Sequence, residues 1–352
     1  MRQLTYEQAG VVRWREVPDP VLTDPAGALV APLAVARCDL DRPMAAMGLF
    51  PGPFGVGHEI VAEVVDIGPE VTRIRPGDRV LVPYQVSCGA CAACADRRYG
   101  GCRTYRAQVG AAFGFGPAGG GHGGGLSDLL LVPAADHLLI PAPDGIAPEA
   151  LCTLVDNGVD GYRTVAGQLA AAPRAEVLVV GGAASSVGLY AVATAVALGA
   201  RRVRYIDVDA GRCEAAARLG ADAQLHQGPW PRSFERAPVT VENTMDTGGL
   251  ACALRSTDDY GFCTSVAIHF ADMTPLPLLH MYTKGITLHL SRADSRRFLP
   301  EVIDLVASGR LDPCAVPTRV VTWDDAENAW LEPAVKLVVS RSAQATSAPV
   351  PG

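Results

Sequence analysis

The 352-residue chain is poor in lysine, in charged residues overall and in long apolar runs. Only two of its 30 basic residues are lysines, and no cluster of basic residues marks a surface for nucleic acid. The longest strongly apolar stretch, Val187 to Ala200, is too short to span a bilayer, which takes ~20 residues. The first ten residues lack the apolar segment of an export signal. We therefore expect a cytoplasmic protein that binds neither nucleic acid nor membrane.

Composition excludes a disordered chain. Hydrophobic residues make up 49% of the sequence, charged residues 19%, and the net charge is −7. That apolar content supports real hydrophobic cores. Because a domain is typically ~100–200 residues long, the chain length predicts two domains.

The first 150 residues have the texture of a β-rich domain. Short apolar runs alternate there with turn signals such as Pro51-Gly52-Pro53, Gly68-Pro69 and Pro76-Gly77-Asp78. Proline and glycine at such intervals end strands before they grow long. The pattern predicts an all-β, barrel-like unit.

From about residue 150 the pattern changes to alternating strands and helices. The run Glu176–Val180 is continuously apolar, as expected for a strand of a parallel sheet buried on both faces. The elements that follow are a helix over Val187–Leu198, a strand over Arg202–Ile206 and a helix over Arg212–Leu219, with Gly199 and Gly220 as the helix ends. This order predicts a doubly wound parallel sheet, and the whole chain is then an α/β protein.

Four of the ten cysteines lie in one short segment with the spacing C-x2-C-x2-C-x7-C: Cys88, Cys91, Cys94 and Cys102. Thiolates two residues apart on tight turns converge on one tetrahedral ion at ~2.3 Å. Four thiolates complete the coordination sphere, so the pattern predicts a structural zinc. Disulfides and an iron–sulfur cluster are the alternatives.

A glycine-containing turn after the strand Glu176–Val180 predicts a dinucleotide site. In the frame G-x-G-x-x-G that ends at Gly188, the first two glycines are replaced by the small residues Ala183 and Ser185. Small side chains still let the backbone approach a pyrophosphate at a helix N-terminus. The predicted cofactor contacts are Gly182, Ala183, Ser185, Ser186, Val187 and Gly188.

Asp207 lies 19 residues after Gly188, at the end of the second predicted strand. An acidic side chain at this spacing accepts hydrogen bonds from an adenosine ribose and repels a 2′-phosphate, which favours NAD(H) over NADP(H). The alternative is a solvated turn residue. Arg212 is predicted to cover the adenine or to neutralise a phosphate. Four arginines, Arg201, Arg202, Arg204 and Arg212, argue for NADP(H).

Together these residues resemble the zinc-dependent, medium-chain alcohol dehydrogenase family. The matching segments are Gly57-His58-Glu59, Pro76–Val80, the four-cysteine lobe, Glu176–Gly188, Lys284–Leu288 and Leu305–Arg310. The resemblance implies a GroES-like β-barrel catalytic domain over 1–150 and 291–340, with the zinc lobe at 86–104. It places a Rossmann nucleotide-binding domain at 151–290, and we expect a disordered tail over 341–352.

The resemblance also implies a second, catalytic zinc, and so two zinc ions per chain. Its ligands would be Cys38, His58 and Asp156, with Asp160 as the fallback for the third position. Glu59, next to a ligand, would enter or orient the metal shell. A thiolate and a carboxylate neutralise Zn²⁺, and an imidazole completes the protein ligands. Taken singly, Cys38 and His58 also fit a buried core cysteine and histidine.

Two positions depart from the family's pattern of a proton relay. Leu40 stands where the family usually has Ser or Thr, and Pro43 stands where a histidine often ends the relay. Leu40 can neither donate nor accept a proton. Water, Asp39, Asp41 or the substrate itself is left to carry it.

Three functions remain open from the sequence. The leading one is an NAD(H)-dependent zinc oxidoreductase that acts on an alcohol, aldehyde or ketone. Leu40 favours a second, an ene-reductase that reduces a conjugated double bond on the same scaffold. The third is a non-catalytic nucleotide-binding protein. The resemblance also implies homodimers or homotetramers, often paired through the edge of the nucleotide domain's sheet.

Overall fold

A computed structural model describes residues 1–342 as a mixture of strands and short helices. Within them no helix is both long enough and apolar enough to cross a bilayer. The strands are β1 (Arg2–Gln8), β2 (Val11–Glu16), β3 (Ala28–Arg37), β4 (Phe54–Gly55), β5 (Glu59–Ile67), β6 (Arg79–Val82), β7 (Leu130–Val132), β8 (Ile140–Pro141), β9 (Val177–Val180), β10 (Val203–Asp207), β11 (Asp222–Leu225), β12 (Ala237–Glu242), β13 (Thr257–Ser265), β14 (Thr287–Leu290), β15 (Thr318–Thr322) and β16 (Lys336–Ser340).

Most of the α-helices span no more than nine residues. They are α1 (Asp41–Met47), α2 (Ala92–Ala95), α3 (Ala135–Leu138), α4 (Pro148–Cys152), α5 (Val159–Ala171), α6 (Ser185–Ala197), α7 (Ala210–Arg218), α8 (Thr247–Arg255), α9 (Leu278–Lys284), α10 (Ser295–Ala307) and α11 (Ala326–Ala329). Two 3-10 turns, Tyr99–Gly101 and Gly116–Gly119, and a π-helical turn, Leu154–Gly158, complete the elements.

The chain forms two compact units. Unit 1 contains Met1–Asp156, Asp294–Pro300 and the chain from Thr318, and unit 2 contains Asn157–Ala293 and Glu301–Pro317. The sequence assigned all of 291–340 to the first domain, whereas residues 291–293 and 301–317 belong to unit 2. There the Arg310 guanidinium donates to the carbonyl of Ala197 at the end of α6. The first boundary lies at residue 156 instead of 150.

Unit 1 is built from two sheets around one apolar core. The larger sheet has the strand order β15-β16-β3-β5-β6-β8, with β7 also paired to β3, and the smaller has the order β2-β1-β4. All neighbours except β15 and β16 are antiparallel. Alternate residues of β3 and β5, including Val30, Val35, Ile60 and Val64, enter the core.

Unit 2 contains a six-stranded, fully parallel sheet in the order β11-β10-β9-β12-β13-β14. Every residue of its central strand β9 is buried. The strand order reverses direction at β9, which is the hallmark of a doubly wound sheet. The predicted α/β class, with a β-rich domain and a parallel-sheet domain, is confirmed.

Only the first two residues of the predicted disordered tail, 341–352, lie within the described part of the chain, and these two are held. The Arg341 backbone N–H donates to the Leu33 carbonyl, and its guanidinium donates to the Pro32 carbonyl. Arg341 thus continues the pairing of β16 with β3 by one residue. Residues 343–352 lie outside the described residues.

Helices α5 and α6 of unit 2 pack closely at Gly161. A Cβ atom at Gly161 would lie 2.5 Å from the Tyr190 Cβ and 2.7 Å from the Ala191 nitrogen. Both are atoms that cannot swing aside, so the contact needs glycine. Gly167, on the same helix, has nothing within 4 Å of the equivalent position.

We predict opposite effects for alanine at these two positions. Gly161→Ala will lower the free energy of unfolding by about 1–3 kcal/mol because it overpacks the helix contact. Gly167→Ala will raise it by up to about 1 kcal/mol because alanine favours an exposed helix. Urea unfolding followed by circular dichroism measures both. Equal effects of the two substitutions would contradict the close contact.

Candidate metal and cofactor sites

Four potential metal ligands are buried together in unit 1. They are Cys38, His58, Glu59 and Asp156, whose ligand atoms all lie within 4.8 Å of one another. The His58 Nε2 and the Asp156 Oδ2 are 3.4 Å apart. The structure thus brings together the three ligands that the resemblance implied for the catalytic metal, with Glu59 beside them.

Strand pairing positions three of the four ligands. Cys38 follows the last residue of β3, and Glu59 begins β5 directly after His58. The antiparallel register pairs Ala36 with Glu59 and so places the end of β3 against the start of β5. Asp156 comes from the π-helical turn Leu154–Gly158, a type of turn frequent at functional sites.

Asp160, the fallback ligand, does not join this cluster. Its Oδ1 accepts a hydrogen bond from the Nε of Arg163, three residues later on α5. The guanidinium of Arg163 is held in turn by Ser291. Asp160 therefore serves a buried ion pair within unit 2.

Burial and neighbouring charges shift the pKa values within the cluster in both directions. Burial raises the pKa of the Cys38 thiol well above its usual range and also raises the pKa of Glu59, although Lys336 opposes the latter shift. Burial opposes protonation of His58, but the carboxylates of Asp41 and Asp156 outweigh it and raise the pKa of His58 to about 9. The pKa of Asp156 is lowered. Burial alone would raise it, but the hydrogen bond and the charge of His58 outweigh burial.

This donor set fits a zinc ion. A thiolate, an imidazole and a carboxylate are the ligands that Zn²⁺ takes in proteins, and the ion displaces their protons when it binds. The Glu59 Oε2 is buried without a hydrogen-bond partner. Buried polar atoms normally find a partner, so a carboxylate oxygen without one beside three potential ligands fits a cation-binding site.

Asp41 supports two of the ligands. One of its oxygens accepts a hydrogen bond from the Cys38 N–H at 3.0 Å, and the other lies 3.4 Å from the His58 Nδ1. The Leu40 N–H points at the Cys38 Sγ at 3.5 Å. The sequence analysis considered Asp41 only as a proton carrier. Its position three residues after Cys38 was the sign of a turn in which the Asp41 side chain orients that ligand.

A buried lysine balances the charge of Glu59. The Lys336 Nζ donates to the Glu59 Oε1 at 2.5 Å, and both side chains are 0% exposed. The sequence analysis missed this partner. The signal was the position of Lys336 itself. It is one of only two lysines in the chain, and it begins the apolar strand β16.

Aromatic rings pack against the buried imidazole of His58. The ring centroid of His58 lies 5.0 Å from that of Phe115 and 5.5 Å from that of Tyr84. Phe50 contacts Phe115 edge-on at 6.2 Å. The surroundings of the cluster are therefore apolar and aromatic.

The four cysteines of the lobe are grouped around one point. Sγ–Sγ distances are 3.6 Å for Cys91 and Cys94, and 4.0 Å both for Cys88 and Cys94 and for Cys91 and Cys102. Tetrahedral ligands at 2.3 Å from zinc lie about 3.8 Å apart, whereas a disulfide needs about 2.05 Å. All four are free thiols. The geometry therefore argues against the disulfide alternative.

Backbone groups around the lobe stabilise thiolates. The N–H groups of Arg103 and Tyr105 donate to Cys91 and Cys102, and the Thr104 hydroxyl donates to Cys88. The Arg103 N–H in particular lowers the pKa of Cys91 to about 6. These donors favour the charged form that zinc requires.

The turn after β9 in unit 2 is crowded at its start. A Cβ at Gly182 would lie 2.6 Å from the Thr244 Cα, and one at Gly181 would lie 2.3 Å from the Asp207 Oδ2. At Gly188 the nearest atom, on Asn243, would be an ordinary 3.4 Å away. The close approach therefore lies at Gly181 and Gly182, and not at Gly188 as the sequence frame implied.

Other predicted cofactor contacts lie at the start of α6. Ala183 and Ala184 form the turn, and Ser185 begins the helix, followed by Ser186, Val187 and Gly188. The Ser186 hydroxyl donates to the Asn157 Oδ1 at 3.0 Å. The Asn243 side chain donates to the Ala184 carbonyl and so fixes the turn. A helix N-terminus presented in this way suits a pyrophosphate.

Asp207 ends β10 at the carboxyl edge of the parallel sheet, as the sequence predicts, but its carboxylate is fully buried. It accepts hydrogen bonds from Tyr205 and from Arg212. The arginines at the opposite end of β10 pair elsewhere, Arg201 with Glu176 and Arg202 with Asp222.

Comparisons with known proteins agree with this geometry. The family described as the alcohol dehydrogenase GroES-like domain matches residues 24–144. A probable zinc-binding alcohol dehydrogenase of Mycobacterium tuberculosis is 32% identical over 94% of this chain and 84% of the relative. The alcohol dehydrogenase TADH of Thermus sp. ATN1 superposes with a TM-score of 0.87 at 28% identity, over 97% of this chain and 99% of that one.

A third relative is similar over part of its length. The glutathione-independent formaldehyde dehydrogenase of Pseudomonas aeruginosa is 34% identical over 64% of this chain. This chain covers 60% of that relative.

We predict that the two lysines differ sharply in their effect on stability. Lys336→Met leaves the Glu59 carboxylate buried and unpaired, and will lower the free energy of unfolding of unit 1 by about 3–5 kcal/mol. Adding Glu59→Gln to Lys336→Met will recover much of the loss because the buried charge is then gone. Urea unfolding followed by tryptophan fluorescence measures both.

The matched control is Lys284→Met. Lys284 pairs with Asp259 at 3.1 Å on the surface, where both side chains are partly exposed. Its substitution will leave unfolding unchanged within error. A double variant no more stable than Lys336→Met alone would show that Lys336 does not balance Glu59.

Proposed function

Because the chain belongs to the zinc-type, medium-chain alcohol dehydrogenase family, we propose that it transfers a hydride between a nicotinamide cofactor and an alcohol, aldehyde or ketone. The family makes the chain an oxidoreductase. The buried cluster of Cys38, His58, Glu59 and Asp156 is the observation that carries the proposal to this chemistry. None of the ten cysteines is in a disulfide, which fits the reducing conditions of a cytoplasmic location.

Cys38, His58 and Asp156 would hold a catalytic zinc, and the four lobe cysteines a structural one. When bound, the catalytic ion supplies a Lewis acid that polarises the substrate oxygen. Glu59 lies beside the ligands, with its charge balanced by Lys336. The rings of Tyr84 and Phe115 against His58 exclude water and favour substrates with an apolar body.

Unit 2 would hold the cofactor at the turn from Gly181 to Gly188. The crowded glycines, the start of α6 and the Asn243 clamp support a pyrophosphate there. The sequence favours NAD(H) over NADP(H) through Asp207.

The route of the proton differs from a hydroxyl relay. Leu40 stands at the position of the relay hydroxyl. It contributes only its backbone N–H, which points at the Cys38 Sγ. Asp41 is 2% exposed and its oxygens face Cys38 and His58, so it is not a carrier to solvent. Water, Asp39 or the substrate itself remains for that step.

The same observation supports an alternative. An ene-reductase that moves a hydride to a conjugated double bond has no alcohol proton to remove, and Leu40 suits that reaction. The product from an unsaturated aldehyde such as cinnamaldehyde distinguishes the two functions. A dehydrogenase gives the unsaturated alcohol, and an ene-reductase gives the saturated aldehyde.

We predict two zinc ions per chain and one after Asp156→Ala. Elemental analysis of the purified proteins measures the ratio, and a panel of alcohols and aldehydes with NADH and NADPH measures turnover. Turnover of alcohols and aldehydes will disappear with the second zinc. Cys94→Ser removes a lobe ligand, and we expect it to lose the other zinc.

Asp160→Asn is the matched control for Asp156. It changes an acid four residues away that binds Arg163 instead of the cluster, and it will keep two zinc ions. One zinc in both the wild type and Asp156→Ala would rule out the catalytic metal. Saturated aldehyde as the product would then favour the ene-reductase.

We further propose that two copies of the chain pair through the edge of the sheet in unit 2. Strand β14 pairs only with β13 within the described residues, which leaves its outer edge unpaired. Large apolar side chains around that edge are exposed: Tyr260 84%, Leu278 65%, Leu279 77%, Tyr282 86% and Leu290 63%. An apolar edge strand of this kind needs a cover, and a second copy supplies one with the same chemistry.

We predict that the native chain runs at twice its 36.8 kDa mass, or at a higher even multiple. Leu290→Asp together with Tyr282→Asp will convert it to monomer because charge opposes edge pairing. Size-exclusion chromatography with light scattering measures the mass. Val21→Asp, at an apolar side chain of unit 1 that is 71% exposed, will leave it unchanged. A monomeric wild type would overturn the pairing.

A further inference from the structure

The lobe over residues 86–104 has little regular structure to hold its four cysteines. It contains the short helix α2 and the 3-10 turn Tyr99–Gly101, and none of these described residues lies in a β-strand. A segment this short cannot bury a core of its own. The arrangement of the cysteines therefore depends on a metal ion and on the chain around the lobe.

His137 lies against the lobe on both sides of α2. Its Nε2 is 2.8 Å from the hydroxyl oxygen of Ser87, the residue before the ligand Cys88. A Cβ atom at Gly89 would lie 2.7 Å from the His137 Cγ, so the absence of a side chain there makes room for the ring. Further along the lobe, the ring centroids of His137 and Tyr99 are 5.0 Å apart. One side chain thus contacts the segment before α2 and the segment after it.

The short helix α3 gives His137 a fixed base. Its neighbour Leu138 is 0% exposed and belongs to the core of unit 1. On the other side, the Asp136 carboxylate accepts hydrogen bonds from the backbone N–H groups of Thr72 and Arg73 at 2.9 and 2.8 Å. The residues before and after His137 are both held by unit 1, so the ring has a defined position.

The first turn of α10 is bound to His137 and to the lobe. Arg296, the second residue of that helix, donates from its Nε to the His137 carbonyl. A second bond runs from the lobe to the helix, because the Arg97 guanidinium donates to the Arg297 carbonyl at 3.1 Å. All of these residues belong to unit 1.

Two further hydrogen bonds strengthen this junction. The Asp294 carboxylate, directly before α10, accepts from the backbone N–H groups of Tyr99 and Gly100 in the lobe. The Ser295 N–H donates to the Gln85 Oε1 at 3.0 Å in a buried contact. Three segments that are far apart in the sequence therefore meet around His137: the lobe, α3 and the first turn of α10.

We propose that His137 is the positioning residue of the lobe, and that the lobe ion and the first turn of α10 stabilise each other through it. This inference rests on the structural zinc of the proposed function. His137 acts on the ion through its neighbours, since Ser87 precedes Cys88 and Tyr99 lies three residues before Cys102. Contacts that orient metal ligands from outside typically change metal affinity by about 10–100-fold. Such coupling is reciprocal, so a turn that holds the ion is held by it.

The rate of zinc release tests the role of His137. All variants are made in the full-length Asp156→Ala chain, in which we expect the lobe to hold the only zinc ion. An excess of 4-(2-pyridylazo)resorcinol takes up the zinc and reports its release by absorbance. We expect His137→Ala to release zinc about tenfold faster than the Asp156→Ala parent. Ser87→Ala removes only the hydroxyl and will speed release by a few-fold. His137→Gln, whose amide can bond Ser87, will recover part of the loss.

Leu138→Val is the matched control for a general loss of stability. It shortens a core side chain of the same helix and leaves the contacts of the His137 ring in place. Urea unfolding will show that it destabilises the chain, whereas its zinc release will keep the parent rate. His226→Ala is a second control, because His226 stacks on Trp230 in unit 2 and has no part in the lobe.

Hydrogen exchange followed by mass spectrometry tests the reciprocal effect. Cys94→Ser removes a lobe ligand from the wild-type chain. We expect the backbone amides of residues 295–299 to exchange several-fold faster in this variant, because the turn loses the support of the ion. The amides of α6 in unit 2 will exchange as in the wild type.

Three outcomes overturn the inference. Release at the parent rate by both His137→Ala and Ser87→Ala would show that these contacts do not hold the ion. Equal acceleration by Leu138→Val would reduce the effect to general stability. Unchanged exchange of residues 295–299 in Cys94→Ser would remove the link to α10. In each case the catalytic zinc and the proposed reaction stand, since they are decided by the zinc count of the wild type against Asp156→Ala and by turnover.

Discussion

The burial of several ionisable groups at one end of the large sheet in unit 1 is the constraint on which the candidate site depends. The strand order β16-β3-β5 makes three strand ends neighbours. Because neighbouring strands run antiparallel, the start of β16, the end of β3 and the start of β5 meet at the same edge. Lys336, Cys38 and Glu59 are the residues at those three ends. The sheet thus assembles ligands and counter-charge without a loop of special length.

The charges of the buried cluster explain why it suits a divalent cation. Lys336 balances one carboxylate, Glu59, and His58 lies between the carboxylates of Asp41 and Asp156. Burying charge without compensation is costly, which favours the protonated forms of the cysteine and the histidine. A divalent cation bound here would replace those protons with a charge at the centre of the ligands. We therefore expect metal binding to stabilise unit 1.

Local patterns predicted much of the fold. The apolar run Glu176–Val180 became β9, the predicted helix Val187–Leu198 became α6 with its start two residues earlier, and the strand Arg202–Ile206 became β10. The four lobe cysteines are also close in sequence, so their spacing alone shows that they can converge. Cys38, His58 and Asp156 were found through resemblance to a family. Their spacing of up to about a hundred residues carries no geometric information of its own.

Contacts between distant residues set the rest, and a single sequence does not reveal them. Lys336 and Glu59 are 277 positions apart, and only the pairing of β16 with β3 brings them together. The hydrogen bonds on the Asp207 carboxylate depend on a tyrosine two residues away and on space left by Gly181, which follows β9. Four acids lie near the predicted sites, namely Asp156, Asp160, Glu59 and Asp207. Their roles differ because each is paired with a different donor: His58, Arg163, Lys336, and Tyr205 with Arg212, respectively.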